Sequence, residues 1–169
     1  MDTITAILTR RSIRQFSSQT VSEEDIELLL HCAMQAPSAG NAQLWQFIIL
    51  TDRSLLNKIQ EFHPFAEALE TSPLAILVCG DERYEKRPGR WPMDCSAATQ
   101  NILLAAHSRG LGAVWISIHP DLERIEEIRR LLFLPDEIHP VSLVALGYPS
   151  EEPEPSDNYK PDRIHHNHW

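Results

Sequence analysis

The stretch that most constrains the fold is residues 93–109, which is apolar on almost every side when it is drawn as a helix. The apolar positions are Ala97, Ile102, Leu103, Leu104, Ala105 and Ala106. A helix with an apolar stripe on one side lies at a surface, whereas one that is apolar all round must be covered on most sides. Gly110 and Gly112 follow it, as is typical of a helix end. We therefore expect a central helix here.

Four short apolar runs surround this helix in the sequence, and each is too short for anything but a buried strand. They are residues 46–51, 74–79, 113–118 and 140–147. Helical patterns fall between them, so the sequence predicts four strands and five or six helices. No repeat and no domain boundary interrupts the pattern. We expect a single α+β domain over residues 1–169.

Capping residues predict where the other helices begin. Asp2 precedes a short helix whose apolar residues share one face, Ser22 precedes a helix that reaches about residue 35, and Asp52 precedes a third. Pro120 and Asp121 open a fourth amphipathic helix. A shorter helical piece is expected near residues 65–69, and residues 81–92 are expected to form a charged loop.

Three arginines fall within five positions, Arg10, Arg11 and Arg14, in a chain whose formal net charge is −9. Their mutual repulsion requires an opposite charge nearby. A bound dianion such as a phosphate would supply it, because guanidinium groups bind phosphate oxygens bidentately and the Ser12 hydroxyl can donate one more hydrogen bond. The alternative is a solvated basic surface, or ion pairs with the many glutamates.

Composition excludes several classes of protein. The acidic balance argues against nucleic acid as a partner, and no apolar run is long enough for a membrane span. The N-terminus lacks a signal-peptide pattern, so we expect a cytoplasmic protein. Three cysteines, Cys32, Cys79 and Cys95, have no metal-type spacing and are expected to be buried free thiols.

Common catalytic motifs are absent. The chain has six glycines and no dinucleotide or P-loop fingerprint, and it has no nucleophile elbow. His165, His166 and His168 lie close together, but a bare terminal tract lacks the rigid frame and second shell of a metal site. We therefore expect no metal.

Several segments, taken in order along the chain, resemble segments of the flavin-dependent nitroreductases. The resemblance covers nearly the whole chain. These segments are residues 10–16 (RRSIRQF), 36–45 (APSAGNAQLW), 97–106 (AATQNILLAA), 110–116 (GLGAVWI) and 163–169 (RIHHNHW). The chain looks like one of the short members. The resemblance implies a central, mainly antiparallel sheet flanked by helices, and an intertwined homodimer in which a C-terminal arm, residues 150–169, is exchanged.

The same resemblance implies flavin mononucleotide (FMN) at the dimer interface and assigns residues to it. Arg10, Ser12 and Arg14 would hold the phosphate with Arg11 nearby, assisted by Lys160 and Arg163. The loop that reaches the flavin bound mainly by the other subunit would contribute Pro37, Ser38, Ala39, Asn41 and Gln43. The strand Trp115, Ile116 and Ser117 would line the isoalloxazine through its backbone.

Two departures from the family pattern concern the loops. Leu44 stands where a proline is common, and the region 82–91, which often shapes the substrate channel, looks truncated. The first departure removes no hydrogen-bonding group. The second leaves the range of substrates open.

The implied activity is an FMN-dependent oxidoreductase that uses NADH or NADPH. Because the flavin carries the chemistry, no catalytic side chain is expected. Without a second nucleotide motif, donor and acceptor would use the same flavin face in turn, in a ping-pong scheme, and nitroaromatics, quinones or flavins are plausible acceptors. The alternatives are a specialised family reaction, such as reductive dehalogenation or flavin fragmentation, and a non-catalytic flavin-binding module.

The end of the chain changes character. Residues 151–157 cannot bury an apolar face and should run extended over the surface, whereas Ile164 and Trp169 restore amphipathic character. We expect the tail from Tyr159 to dock on the partner subunit. Trp45, Trp115 and Trp169 are interpreted as core or interface aromatics rather than stacking partners of the flavin.

Overall fold

The computed structural model describes all residues, 1–169, as four strands and five α-helices. The strands are β1 (Trp45–Leu50), β2 (Leu74–Asp81), β3 (Gly112–Ser117) and β4 (Ile138–Gly147). The helices are α1 (Thr3–Thr9), α2 (Glu23–Met34), α3 (Arg53–Phe62), α4 (Trp91–Ser108) and α5 (Leu122–Leu132). Short 3-10 turns lie at Ala39–Asn41, Glu67–Glu70, Glu82–Tyr84 and Pro161–Arg163. The predicted α+β class and element order are confirmed.

The sheet is fully antiparallel, with strand order β1-β2-β4-β3. Both central strands are buried along almost their whole length. Helices α2 and α4 cover one face of the sheet, and α3 and α5 cover the other, so the core divides into two apolar clusters. One centres on Leu29 and Ile102, the other on Ile59 and Ile128.

Helix α4 is central, as its all-round apolar pattern predicts. It contacts all four strands as well as α1 and α2, and its side chains Ala98, Ile102 and Ala106 are completely buried. No helix of the structure combines the length and the apolar character that a membrane crossing requires.

Side-chain caps explain where the other helices begin. The carboxylates of Asp2, Asp52 and Asp121 and the Ser22 hydroxyl each accept a hydrogen bond from a backbone N–H in the first turn. Such a cap satisfies one of the donors that a helix start leaves free, and it typically contributes about 1 kcal/mol. These four signals are readable in the sequence, and all four helix starts are confirmed.

Some local predictions need correction. The segment 81–92 is more ordered than a charged loop, because Asp81 ends β2, residues 82–84 form a turn and α4 begins at Trp91. Among the cysteines, Cys79 and Cys95 are buried but Cys32 is only half-buried. Burial raises the pKa of the Cys79 thiol to about 12, so this thiol is inert at neutral pH.

The apolar face of α1 is present but uncovered in the single chain. Ile4, Ile7 and Leu8 are 52–66% exposed, whereas Ala6 packs into the fold. A groove of about 470 Å³ runs beside this helix, between α2 and α4. Exposed apolar faces of this kind occur at protein or membrane interaction sites and in ligand-binding grooves.

Candidate functional site

The arginine motif runs in extended conformation along the outer edge of β3. Ser12 forms a parallel bridge with Ala113, and the Ile13 N–H donates to the Ala113 carbonyl at 3.0 Å. Ile13 and Phe16 are buried at 7% and 5% exposure, whereas Arg14 is exposed. Two buried apolar anchors therefore fix the segment to the sheet and leave the intervening polar groups at the surface.

The three guanidinium groups differ in their partners. Arg11 donates to the carbonyls of Leu8, Arg10 and Ser156 at 2.8–3.0 Å. Arg10 and Arg14 donate no side-chain hydrogen bond, and none of the three arginines forms an ion pair. Arg11 therefore braces the tail next to the motif, while Arg10 and Arg14 keep their donors free.

A cavity of about 280 Å³ adjoins the first two arginines where β3 begins. Arg10, Arg11 and His107 line it, together with Glu151 and Glu152 of the tail. Burial lowers the pKa of His107, and the positive charges of Arg10 and Arg11 lower it further. The imidazole is therefore neutral at neutral pH, and the arginines supply the positive charge of this cavity.

The tail begins beside the same segment. Glu151 accepts hydrogen bonds from the backbone N–H groups of Arg14 and Gln15, and the Ser150 N–H donates to the Gln15 carbonyl at 3.0 Å. A carboxylate can therefore bind at this edge through two consecutive N–H groups. The observation supports an anion-binding environment around the arginine motif.

The predicted strand residues differ in what they present. Trp115 is half-buried and lines a second cavity with Arg14, whereas the Ile116 side chain points into the core at 2% exposure. The Ser117 carbonyl accepts from His63 Nε2 at 2.9 Å and from Arg124 Nη1 at 3.3 Å. Ile116 can contribute to a ligand through its backbone only.

The loop at residues 37–43 is held in a strained conformation by two residues outside it. The Ala39 N–H donates to both Asp94 carboxylate oxygens at 3.0 and 3.1 Å. Lys86 Nζ donates to the carbonyls of Gly40 and Asn41 at 3.2 and 3.1 Å. Three of its residues lie in the left-handed region, Gly40, Asn41 and Gln43. Positive φ at two non-glycine residues is a form of strain that concentrates at functional sites.

Sequence reasoning missed both of these supports. Asp94 is an acidic residue near the start of an otherwise apolar helix, and at 6% exposure it is one of few buried carboxylates. A buried charge needs a partner, so its isolation in the pattern is a readable signal. Nothing in the sequence indicates Lys86, since its partners are backbone carbonyls 45 and 46 residues away.

The loop and the arginine motif lie at opposite corners of the sheet. β1 and β3 are the two edge strands, about 14 Å apart at the usual strand spacing. Along the strands, Trp45 and Ala113 are offset by six register positions, roughly 20 Å. One chain therefore carries two parts of the predicted site that do not meet.

The two basic residues of the tail, Lys160 and Arg163, are exposed and form no ion pair. Beyond Ser156 every hydrogen bond of the tail is internal to it. Trp169 is fully exposed and stacks only on His165, with ring centroids 4.4 Å apart. Within one chain, Trp169 is thus not a core residue.

Comparison with known proteins agrees with this architecture. The profile of the nitroreductase family matches residues 7–64 and 63–148. A protein of Methanothermobacter thermautotrophicus, provisionally named an NADH dehydrogenase/NAD(P)H nitroreductase, is 49% identical over 100% of this chain and 88% of its own.

Solved structures extend the likeness to three dimensions. A Parabacteroides distasonis protein with the same provisional name is 44% identical, with a TM-score of 0.95 over 99% of this chain and 98% of its own. A Desulfovibrio desulfuricans protein, provisionally named a nitroreductase and solved in complex with FMN, is 26% identical, with a TM-score of 0.86 over 100% of this chain and 98% of its own. The sequence motifs, the sheet topology and these matches agree that the chain belongs to the nitroreductase family.

Proposed function

We propose that this protein is an FMN-dependent oxidoreductase that takes a hydride from NADH or NADPH and reduces a nitroaromatic, quinone or flavin acceptor. The family and the names of its relatives support this class of activity. The FMN complex of a structural neighbour supports the cofactor. When bound, FMN supplies the hydride chemistry, and the protein has to bind, orient and shield it.

The observation that carries the proposal is that the guanidinium groups of Arg10 and Arg14 have no hydrogen-bond or ion-pair partner. Both lie on a segment fixed to the edge of β3, on either side of Ser12, and neither guanidinium has a partner in the chain. A phosphate dianion fits this set of donors, because two guanidinium groups and a hydroxyl match its oxygens. Arg11 serves the same site by holding the tail in place through Ser156.

The proposed site is composite and needs a homodimer. The arginine motif and the loop at 37–43 lie at opposite corners of one sheet, so a flavin that contacts both must contact two chains. The exposed apolar residues of α1 supply a surface for the partner. The arm at 150–169, which makes no hydrogen bond to its own body beyond Ser156, is free to dock on the partner and bring Lys160 and Arg163 to the phosphate.

We infer a ping-pong mechanism from the absence of a second nucleotide-binding motif in the sequence. The cavity between Arg14 and Trp115 adjoins both the arginine motif and the strand proposed to line the flavin. Donor and acceptor would reach the flavin there and use the same face in turn.

The absorption spectrum of the purified protein tests the cofactor and the activity together. We expect a yellow protein whose flavin absorbance is bleached by NADH or NADPH under anaerobic conditions and is restored by an acceptor. A protein that binds FMN but is not bleached would be a flavin-binding module rather than an oxidoreductase. Parallel lines in initial-rate plots would support the ping-pong scheme, whereas intersecting lines would contradict it.

A further inference from the structure

The cavity beside Arg14 has two walls that belong to distant parts of the chain. Its lining consists of Arg14, Pro64, Phe65, Glu67, Val114 and Trp115. One wall is the segment 64–67, which follows α3, and the other is β3. Phe65 is 70% exposed, so little packing holds the first wall in place. The shape of the cavity then depends on whatever ties the two walls together.

One buried imidazole makes that connection. His63 is 1% exposed, and its Nε2 lies 2.9 Å from the Ser117 carbonyl oxygen at the end of β3. Its Nδ1 lies 3.2 Å from the backbone nitrogen of Phe65. A carbonyl can only accept and a backbone N–H can only donate, so Nε2 carries the proton and Nδ1 carries the lone pair. The two partners therefore fix a single neutral tautomer.

Arg124 of α5 makes a second connection between Phe65 and Ser117. Its Nη1 donates to the same Ser117 carbonyl at 3.3 Å, and its guanidinium carbon lies 5.4 Å from the Phe65 ring centroid. Arg124 also pairs with Asp121 at 3.3 Å. Arg124 and Asp121, the N-cap residue of α5, are the charged groups that act on His63, and their effects on its pKa oppose each other.

We propose that His63 is a positioning residue which, as the neutral Nε2–H tautomer, holds Phe65 and β3 at the separation that admits substrate to the cavity. The role in substrate binding rests on the proposed function, since it takes this cavity as the place where donor and acceptor reach the flavin. We call the connection from Phe65 through His63 to Ser117 the His63 clamp, and the clamp itself rests on the two hydrogen bonds alone. His63 contacts neither cavity nor ligand directly and acts through Phe65 and Ser117.

Protonation would open this clamp on one side only. A second proton must enter at Nδ1, where it removes the acceptor of the Phe65 N–H, while the bond from Nε2 to Ser117 remains. Burial lowers the pKa of His63, and the nearby Arg124 lowers it further against the opposing hydrogen bond to Ser117 and the charge of Asp121. The clamp is therefore closed at neutral pH and opens in acid.

Two substitutions separate the two bonds. His63→Gln keeps an amide donor near the position of Nε2 and removes the acceptor at Nδ1, whereas His63→Asn keeps an acceptor near Nδ1 and cannot reach Ser117. We expect the Phe65 amide to exchange with solvent about fivefold faster in His63→Gln and to stay protected in His63→Asn, the change expected for one neutral hydrogen bond. His31→Gln, at an exposed histidine of α2, is the matched control.

The steady-state parameters test the consequence for the reaction. At pH 7.5, in protein saturated with FMN, we expect His63→Gln to raise the KM of the acceptor about fivefold, with kcat within twofold of the wild type. Arg124→Met should raise the same KM, because it removes the second link. Lowering the pH should raise the KM of the wild type and leave the KM of His63→Gln unchanged.

Nitrogen NMR of the wild type determines the tautomer of His63 and therefore tests the clamp whether or not flavin is bound. The expected spectrum at neutral pH shows His63 protonated at Nε2 and unprotonated at Nδ1. A charged ring, an Nδ1–H tautomer, or equal Phe65 exchange in the Gln variant and the wild type would overturn the proposal. If wild-type protein binds no FMN, the proposed function fails while the tautomer and exchange data still decide the clamp. An unchanged KM with altered Phe65 exchange would reject its role in substrate binding.

Discussion

Gly112 and Ile13 pack so closely that a methyl group on Gly112 would lie 2.7 Å from Ile13 Cγ2 and 2.8 Å from Ile13 Cβ. The contact joins the first residue of β3 to the middle of the arginine motif. The absence of a side chain at Gly112 is therefore what allows this segment to lie against the sheet.

We expect Gly112→Ala to displace the arginine motif and to weaken FMN binding. Overpacking of this kind costs about 1–3 kcal/mol in the free energy of unfolding. Urea denaturation measures that cost, and quenching of flavin fluorescence measures the affinity for FMN. Because the Cβ of residue 13 is itself within 2.8 Å, shortening the side chain by Ile13→Ala should not rescue the variant. Rescue would mean that the side chain, and not the segment, moves.

The phosphate site is tested by comparing two ligands that differ in one group. Arg10→Ala or Arg14→Ala should weaken FMN binding far more than riboflavin binding, because only FMN carries the dianion. A charge-assisted contact contributes about 1.5–3 kcal/mol, which corresponds to roughly 10- to 150-fold in the dissociation constant. Arg130→Ala, at an exposed arginine of α5, serves as the control. Equal losses for both ligands would assign the arginines a structural role.

The loop at 37–43 should depend on its two outside supports. Asp94→Ala removes the acceptor of the Ala39 N–H, and Lys86→Met removes the donor to the carbonyls of Gly40 and Asn41. We expect each variant to lose about fivefold or more in FMN affinity, since one hydrogen bond contributes about 1 kcal/mol. Isothermal titration measures the affinity. Unchanged binding in both variants would exclude this loop from the flavin site.

Much of this architecture is readable from the sequence because local signals and packing agree. Ser22 and Asp52 mark helix starts through bonds that span two or three residues, and the all-round apolar pattern of α4 requires burial. The role of His63 is not readable in this way. Its partner Ser117 lies 54 residues away, and a histidine before a proline in a loop looks ordinary. The same holds for Lys86, whose partners are backbone atoms.

Acid should weaken the junction between α2 and α4 at Asp25. This carboxylate accepts from Ser22 Oγ at 2.7 Å and from Arg109 Nε at 2.8 Å, and these bonds hold its pKa below the ordinary 3.8. A lowered folded-state pKa contributes stability that is present above pH 4 and is lost as the pH falls through the folded value. Arg109 is 47% exposed, so we expect Asp25→Asn to cost only about 1 kcal/mol at pH 7.

Urea titrations at pH 7 and at pH 3 test this assignment. The difference in unfolding free energy between the wild type and Asp25→Asn should shrink at the lower pH, because the unfolded chain then binds a proton at Asp25 that the folded carboxylate, with its lowered pKa, resists. A difference that does not change with pH would mean that packing, and not the charge of Asp25, stabilises the junction.

The arm at the end of the chain should carry both the dimer contact and part of the phosphate site. Its apolar residues Ile164 and Trp169 are 50% and 101% exposed in the single chain, and burying a large ring contributes roughly 1.5–3 kcal/mol. Deleting residues after Pro155 removes these side chains together with Lys160 and Arg163. We therefore expect the truncated protein to shift from dimer to monomer or aggregate and to lose its flavin.

A second variant separates the two roles of the arm. Lys160→Ala combined with Arg163→Ala leaves both apolar residues in place, so it should remain a dimer by light scattering. Its affinity for FMN should fall while its affinity for riboflavin stays constant, because the two cations act on the phosphate alone. A truncated protein that remains a yellow dimer would reject the exchanged arm. Unchanged FMN affinity in the double variant would mean that the tail is not part of the phosphate site. Arg10, Ser12 and Arg14 would then bind the phosphate without it.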